Sequence, residues 1–215
     1  MKSTIILSLM KQESKEILKP LRSLMPLENF KSLLGIDDRD DMLSRHCLKA
    51  ATKAIEHYCH RHLLLAKHFE QLEYLGELHL PLGEYPVHKV LVVFALTARG
   101  GDGEIIEPDL YSIIPECGMD TDLQFSILLS RAMQRYQGLS AIKVMYWAGY
   151  SNGLIPPDLS AACLELASWN MNRYKGRRIG MTGNVRGGGR DGEHFELSMP
   201  ENVKQLLEPY KRKLI

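Results

Sequence analysis

The densest set of chemistry-bearing side chains in the sequence gathers near residue 60. His57, Cys59, His60 and His62 stand together, with His46, Cys47 and His68 nearby. Nitrogen and sulfur donors of this kind hold zinc when four of them converge as a tetrahedron. On a helix His57 and His60, three residues apart, share a face. His60 and His62 do not, and no second pair stands at metal-motif spacing. The competing reading is a helix end enriched in histidine, where a cation suits the negative end of the dipole. The sequence therefore assigns no metal ligand, no cofactor and no catalytic residue. A small metal-dependent enzyme built on this His/Cys-rich helix end is kept as an alternative.

A glycine-rich stretch, Gly183 to Gly192, reads Gly-Asn-Val-Arg-Gly-Gly-Gly-Arg-Asp-Gly. A phosphate-cradling loop joins a strand to a helix and ends in Gly-Lys-Ser or Gly-Lys-Thr. That ending is missing here and a predicted helix precedes the loop, so nucleotide binding is not expected. Charge is the stronger signal. Arg173, Lys175, Arg177, Arg178, Arg186 and Arg190 lie in a stretch without an acidic residue. Arginines on flexible backbone order against carboxylates or phosphates. The stretch reads as a docking arm or as a plain solvated loop.

The opposite charge collects between Gly100 and Asp122. Asp102, Glu104, Glu107, Asp109, Glu116, Asp120 and Asp122 occur there with no Lys or Arg. A carboxylate pair for acid–base chemistry needs a burial that sequence does not reveal. The Asp-x-Asp-x-Asp-Gly pattern of a calcium loop is absent. A solvated hairpin rim is one reading. The other is that an acidic rim of Asp102, Glu104, Glu107 and Asp109 faces a neighbouring subunit's basic arm. Contact between two different patches repeats into a ring or a filament, and opposite potentials set register and speed encounter. No Ser-His-Asp grouping, Gly-x-Ser-x-Gly elbow or His-Glu-x-x-His helix is present. Tyr146, Trp147 and Tyr150 suit a core better than base stacking.

These surfaces need a frame, and 215 residues with 45% hydrophobic and 25% charged side chains can build a packed core. With 27 basic and 26 acidic residues the net charge is +1, which argues against a general nucleic-acid coat protein, though a nucleic-acid-binding accessory protein is a further alternative. The longest apolar run, Val90 to Leu96, is far short of a membrane span, and no signal peptide is expected at Met1 to Met10. Cys47, Cys59, Cys117 and Cys163 form no Cys-x-x-Cys pair, as in a cytosolic protein with reduced, buried thiols.

Pro20 and Pro26 bracket a break. Leu27 to Leu34 reads as a short helix stopped by Gly35. Asp37 or Asp38 suits the N-cap of the next helix, in which Leu43, Cys47, Ala50, Ala51, Ala54, Ile55, Tyr58 and Cys59 recur at three- and four-residue steps. Its alanines would let a neighbouring helix approach closely. Val90 to Leu96, Glu104 to Ile114, Leu123 to Ser130 and Ala141 to Trp147 read as strands, the last with Ile142, Val144 and Tyr146 on one face. Pro156-Pro157-Asp158 starts a helix that buries Leu159, Ala162, Cys163, Leu166 and Trp169 and fades by Gly176. Pro200 to Leu207 is a last short helix. The expected fold is α+β: a helical body of long N-terminal and C-terminal helices with an inserted antiparallel β-rich block. The expected organisation is an N-terminal extension (1–24), a helical part (25–62), the β-rich insert (63–150) and a C-terminal helical part (151–215) carrying a flexible basic loop (176–194).

Taken in order, these segments resemble the head–tail connector (adaptor, head-completion, DNA-packaging-type) proteins of tailed double-stranded DNA phages. Leu27 to Ile36 is similar to the family's opening helix and Lys-x-x-Leu-x-Ile-Asp turn. Asp40-Asp41 and the Ala-rich helix to Arg61 resemble its Ile-Glu-x-Tyr-x-x-Arg ending, and Tyr85-Pro86-Val87 its entry to a strand. Tyr146 to Tyr150 with Ile155 to Leu159 resembles its Tyr-x-Ala-Gly-Tyr … Pro-x-x-Leu link. Asn172-Arg173 and Leu206 to Lys211 resemble its closing pieces, with Lys211 where an arginine is usual. The resemblance covers about residues 25 to 212; the extension before it has no counterpart. It implies a structural, non-enzymatic subunit with no cofactor, forming a ring with itself, commonly dodecameric. Such a ring docks to the portal protein, extends the DNA channel, and seats the stopper or tail-completion protein. Packaged DNA would be met without sequence preference. The implied location is the host cytoplasm before assembly and the virion neck after it. On this reading the arm, residues 173 to 190, contacts a neighbouring subunit, the portal or DNA.

Overall fold

A computed structural model describes residues 23–97, 103–116, 124–131, 138–151, 153–176 and 199–212. Helix α1 (Leu27–Leu34) ends at Gly35, which turns left-handed at φ 60° and returns its N–H to the Lys31 carbonyl. Glycine takes that conformation without a Cβ penalty. Asp38–Asp40 form a single 3₁₀ turn, and α2 (Asp41–Cys59) begins after it. Neither Asp37 nor Asp38 is therefore the cap of α2. Asp40 holds that position without a side-chain hydrogen bond to the first turn, because its carboxylate is drawn to Lys175 at 2.5 Å.

The periodic stripe of α2 is the buried one: Cys47, Leu48, Ala51, Thr52, Ile55 and Cys59 face inward. They pack on Leu159, Ala162, Cys163, Leu166 and Met171 of α3 (Pro157–Lys175). Small side chains at Ala51, Ala162 and Ala167, all fully buried, permit the close approach. Helix α4 (Glu201–Leu207) closes the body with Val203, Leu207 and, just beyond, Tyr210. Leu24 is fully buried in the same cluster, and its N–H donates to Thr52 Oγ1 at 3.1 Å. Among the described residues, that core reaches back to Leu24, which the sequence reading placed in the extension. No helix among the described residues is long and apolar enough to cross a membrane.

Among the described residues the insert holds seven strands: β1 (Ala66–Glu73), β2 (His79–Pro81), β3 (Val87–Thr97), β4 (Glu104–Ile105), β5 (Tyr111–Glu116), β6 (Gln124–Leu129) and β7 (Leu139–Ala148). They form a four-stranded sheet, β1-β7-β3-β4, and a three-stranded sheet, β2-β6-β5, with antiparallel neighbours throughout. Glu104 to Ile114 is not one strand. Pro108–Leu110 make a 3₁₀ turn between β4 and β5, since Pro108 has no N–H for a ladder, and the chain passes from one sheet to the other. Val93, Ala95, Ile142, Val144 and Tyr146 from the first sheet share a core with Leu80, Ile127 and Leu129 from the second. The fold is α+β, with one core in the helical body and a second between the sheets.

Candidate functional site

Two kinds of site emerge from the residues: charged surfaces, and a buried polar junction between the two cores. At the end of α3, Arg173 lays its guanidinium over the Trp169 ring, 4.6 Å from the centroid. Lys175 pairs with Asp40, and Tyr174 Oη lies 3.2 Å from His46 Nε2. The base of the basic arm is thereby tied to the start of α2. Arg177, Arg178, Arg186 and Arg190 lie outside the described residues. Glu104, Glu107 and Asp109 are exposed on the sheet block, whereas Asp102 lies outside the described residues. Within one chain, then, Lys175 of the arm pairs with the helical corner.

The residues considered as metal ligands diverge. Cys47 and Cys59 point into the helical core and are fully buried. His57 and His60 meet edge to face with centroids 6.2 Å apart, and His46 is engaged with Tyr174. His62 lies against His68, centroids 5.6 Å apart. Among the described residues no three His, Cys, Asp or Glu side chains form a group that could hold a metal ion.

The junction is where sequence reading missed a site. Its side chains come from the end of α2, the inward face of β1 and β7, the β2–β3 connection and the C-terminal segment. Alternation on β1 turns His68 and Glu70 inward, beside Tyr146 of β7, whose register partner is His68. Tyr146 Oη donates to Glu70 Oε2 at 2.7 Å and accepts the Glu84 N–H at 3.2 Å. Glu70 Oε2 also accepts the Gly83 N–H at 3.0 Å, and Arg212 Nη2 stands 3.6 Å from its Oε1. Glu56 reaches past the end of α2 to accept the Leu63 N–H at 3.2 Å, and Glu84 accepts the His62 N–H at 2.8 Å. Arg61, 4% exposed, donates to the Tyr85 carbonyl at 3.3 Å and lies over the Tyr85 ring at 3.8 Å.

Burial sets the electrostatics. It pushes the Glu84 carboxyl above the ordinary range against the pull of the His62 N–H, and it raises the Tyr146 phenol, with the Glu70 charge adding to the effect. His68 is held low, first by burial and then by His62. Its Nε2 has no hydrogen-bond partner among the described residues. The backbone seals the same seam. Leu65 N–H donates to the Tyr150 carbonyl at 2.9 Å, Tyr150 N–H to Leu63 at 2.7 Å, and Arg212 N–H to Cys59 at 2.8 Å. Gly149, at φ 101°, passes so close that a Cβ there would sit 2.5 Å from the Leu64 carbonyl oxygen. This arrangement holds two cores in a fixed relation. Glu56, Glu70 and Glu84 each accept a backbone N–H from another segment, and Glu56 also takes the Lys53 ammonium.

No family model matches the chain, and no curated protein matches it. Solved structures do. The chain is similar to a chain from the neck of an empty gene transfer agent (GTA) particle computed with C6 symmetry, at 18% identity and a TM-score of 0.59. It is likewise similar to a chain from the virion of a native gene transfer agent particle, at 20% identity and 0.58. A third likeness is to the neck of a native GTA particle computed with C12 symmetry, at 18% and 0.54. Each alignment covers 93% of this chain and 95% of the other. The likeness therefore extends over both the helical body and the inserted sheets.

Proposed function

We propose that this chain is a structural subunit of the neck of a phage-like particle, acting by shape and mutual docking in a ring. The observation that carries the reading is the end-to-end likeness of fold, 93% of one chain on 95% of the other, to chains from particle necks solved with sixfold and twelvefold symmetry. The resemblance of the sequence segments to head–tail connectors agrees with it. The physical design suits the role: two small cores locked at a polar seam make a rigid block, and charged surfaces are left for partners. On the finer reading the subunit is an adaptor that docks to the portal, extends the DNA channel and seats the stopper or tail. It passes from the host cytoplasm to the virion neck as the particle assembles. The arm from Arg173 to Arg190 then orders on a neighbouring subunit, the portal or DNA.

Electron microscopy of the protein mixed with its portal tests the role, and a ring seated on the portal is the expected result. Protein that never joins a portal or a neck would sink the reading. Arg177→Glu with Arg178→Glu should block ring or portal assembly while the monomer stays folded by circular dichroism. Assembly at the wild-type level would remove the arm from the account.

A further inference from the structure

Helix α2 turns one face to the core and the other to solvent. Its exposed residues are Met42, Arg45, His46, Lys49, Lys53 and His57. After Met42, each of them is basic or a histidine. Arg45, Lys49, Lys53 and His57 are four residues apart, so they stand about 6 Å from one another along the axis in a row about 18 Å long. Arg45 Nη2 lies 3.7 Å from Asp41 Oδ2, and Lys53 Nζ lies 2.6 Å from Glu56 Oε2. Lys49 has no ion pair among the described residues. A row of three cations and a histidine, 85% exposed Met42 at its head, is a surface shaped for an anionic partner.

The sheet block of the same chain carries exposed residues of the opposite sign. Glu73 closes β1, Glu77 follows in the turn to β2, and Glu104 opens β4; all three are exposed. Leu75, between the first two, is 83% exposed. Lys143 stands one row nearer the body with its Nζ over the Phe69 ring, and Arg131 follows β6 on the second sheet. Strand β1 leaves the helical body at Leu65, and its eight residues carry Glu73 about 26 Å away. No ion pair joins the α2 cations to Glu73, Glu77 or Glu104 within one chain.

We propose that the cationic face of α2 receives the acidic end of the four-stranded sheet of a second copy of this chain. Met42 and Leu75 supply the apolar contact. The docking rests on the ring reading above and names its subunit interface. Two different patches meet, so the contact is heterologous and closes into a ring when the rotation allows.

Sedimentation velocity at low salt, up to millimolar protein, tests it. The wild type should self-associate, and added salt should weaken the association. Arg45→Glu with Lys49→Glu, and separately Glu73→Lys with Glu77→Lys, should each weaken association about tenfold or more. Neutral Arg45→Gln with Lys49→Gln should weaken it less. The chain carrying both charge reversals should regain association, which loss of folding cannot imitate. A monomeric wild type, an association indifferent to either reversal, or failure of the combined chain to recover would overturn the docking. So would an α2 reversal that spares self-association but abolishes binding to duplex DNA, since the anion would then be nucleic acid. A ring on the portal that survives both reversals would overturn this interface and leave the neck reading standing.

Discussion

Tyr146→Phe isolates the junction from everything else. The ring is fully buried and Phe keeps its volume, so packing is unchanged and only the hydroxyl is lost. That hydroxyl makes two bonds: one donated to a carboxylate, 2.7 Å from Glu70 Oε2, and one accepted from the Glu84 N–H at 3.2 Å. A hydrogen bond to a charged acceptor contributes about 1.5–3 kcal/mol, and an orphaned buried donor costs about 1–3 kcal/mol. Glu70 keeps the Gly83 N–H and the nearby Arg212, so its own loss is cushioned. The expected destabilisation is therefore about 3 kcal/mol, equivalent to a fall in Tm of about 6–12 °C for a chain of this size. Urea unfolding should show a lower midpoint at unchanged slope. In a double-mutant cycle with Glu70→Gln the two changes should couple by about 1–2 kcal/mol. A loss below about 1 kcal/mol, with additive changes, would refute the claim that this network holds the two cores together.

Acid should act through the same seam. Burial holds His68 below its ordinary 6.5, so its contribution is fully present above that pH. It declines as pH falls and the unfolded chain takes the proton first. His68→Phe should flatten the acid side of the stability profile followed by thermal unfolding. Leu24→Ala removes a fully buried side chain and should cost about 2–4 kcal/mol in urea unfolding, whereas an exposed residue of an extension would cost nothing. Burial pushes the Cys163 thiol up to about 11 and also raises that of Cys47. Both should resist thiol reagents near neutral pH until the protein is unfolded, as a timed alkylation would show.

The helices were legible because their signals are local. Gly35 stops α1 by backbone conformation, Pro156-Pro157 starts α3, and the three- and four-residue steps of Cys47, Ala51 and Ile55 mark the face of α2 that meets its neighbour. Alternation on β7 likewise announced that Ile142, Val144 and Tyr146 share the buried side, which is where they lie. Strand β1 was not seen as a strand, because His68 and Glu70 interrupt Ala66 and Leu72 on its inward side. The same polar pair concealed the junction. Glu56, Glu70, Glu84 and Arg212 come from four distant stretches, and no spacing along the chain links them. The histidines near residue 60 misled in the reverse direction. Proximity in sequence suggested convergence, but His57 meets His60 while His62 meets His68.

Composition and periodicity were enough to specify an α+β chain with two helical ends, a β-rich middle and charge sorted by segment. Those properties depend on each residue and its near neighbours, through backbone preference and the burial of one face. Only the folded chain decided that the α2 cations and the Glu73–Glu77 acids form no ion pair with one another, and that Glu56, Glu70, Glu84 and Tyr146 bond segments of the two cores to each other. Distance between remote segments governs both, and electrostatic and hydrogen-bond energies depend on that distance.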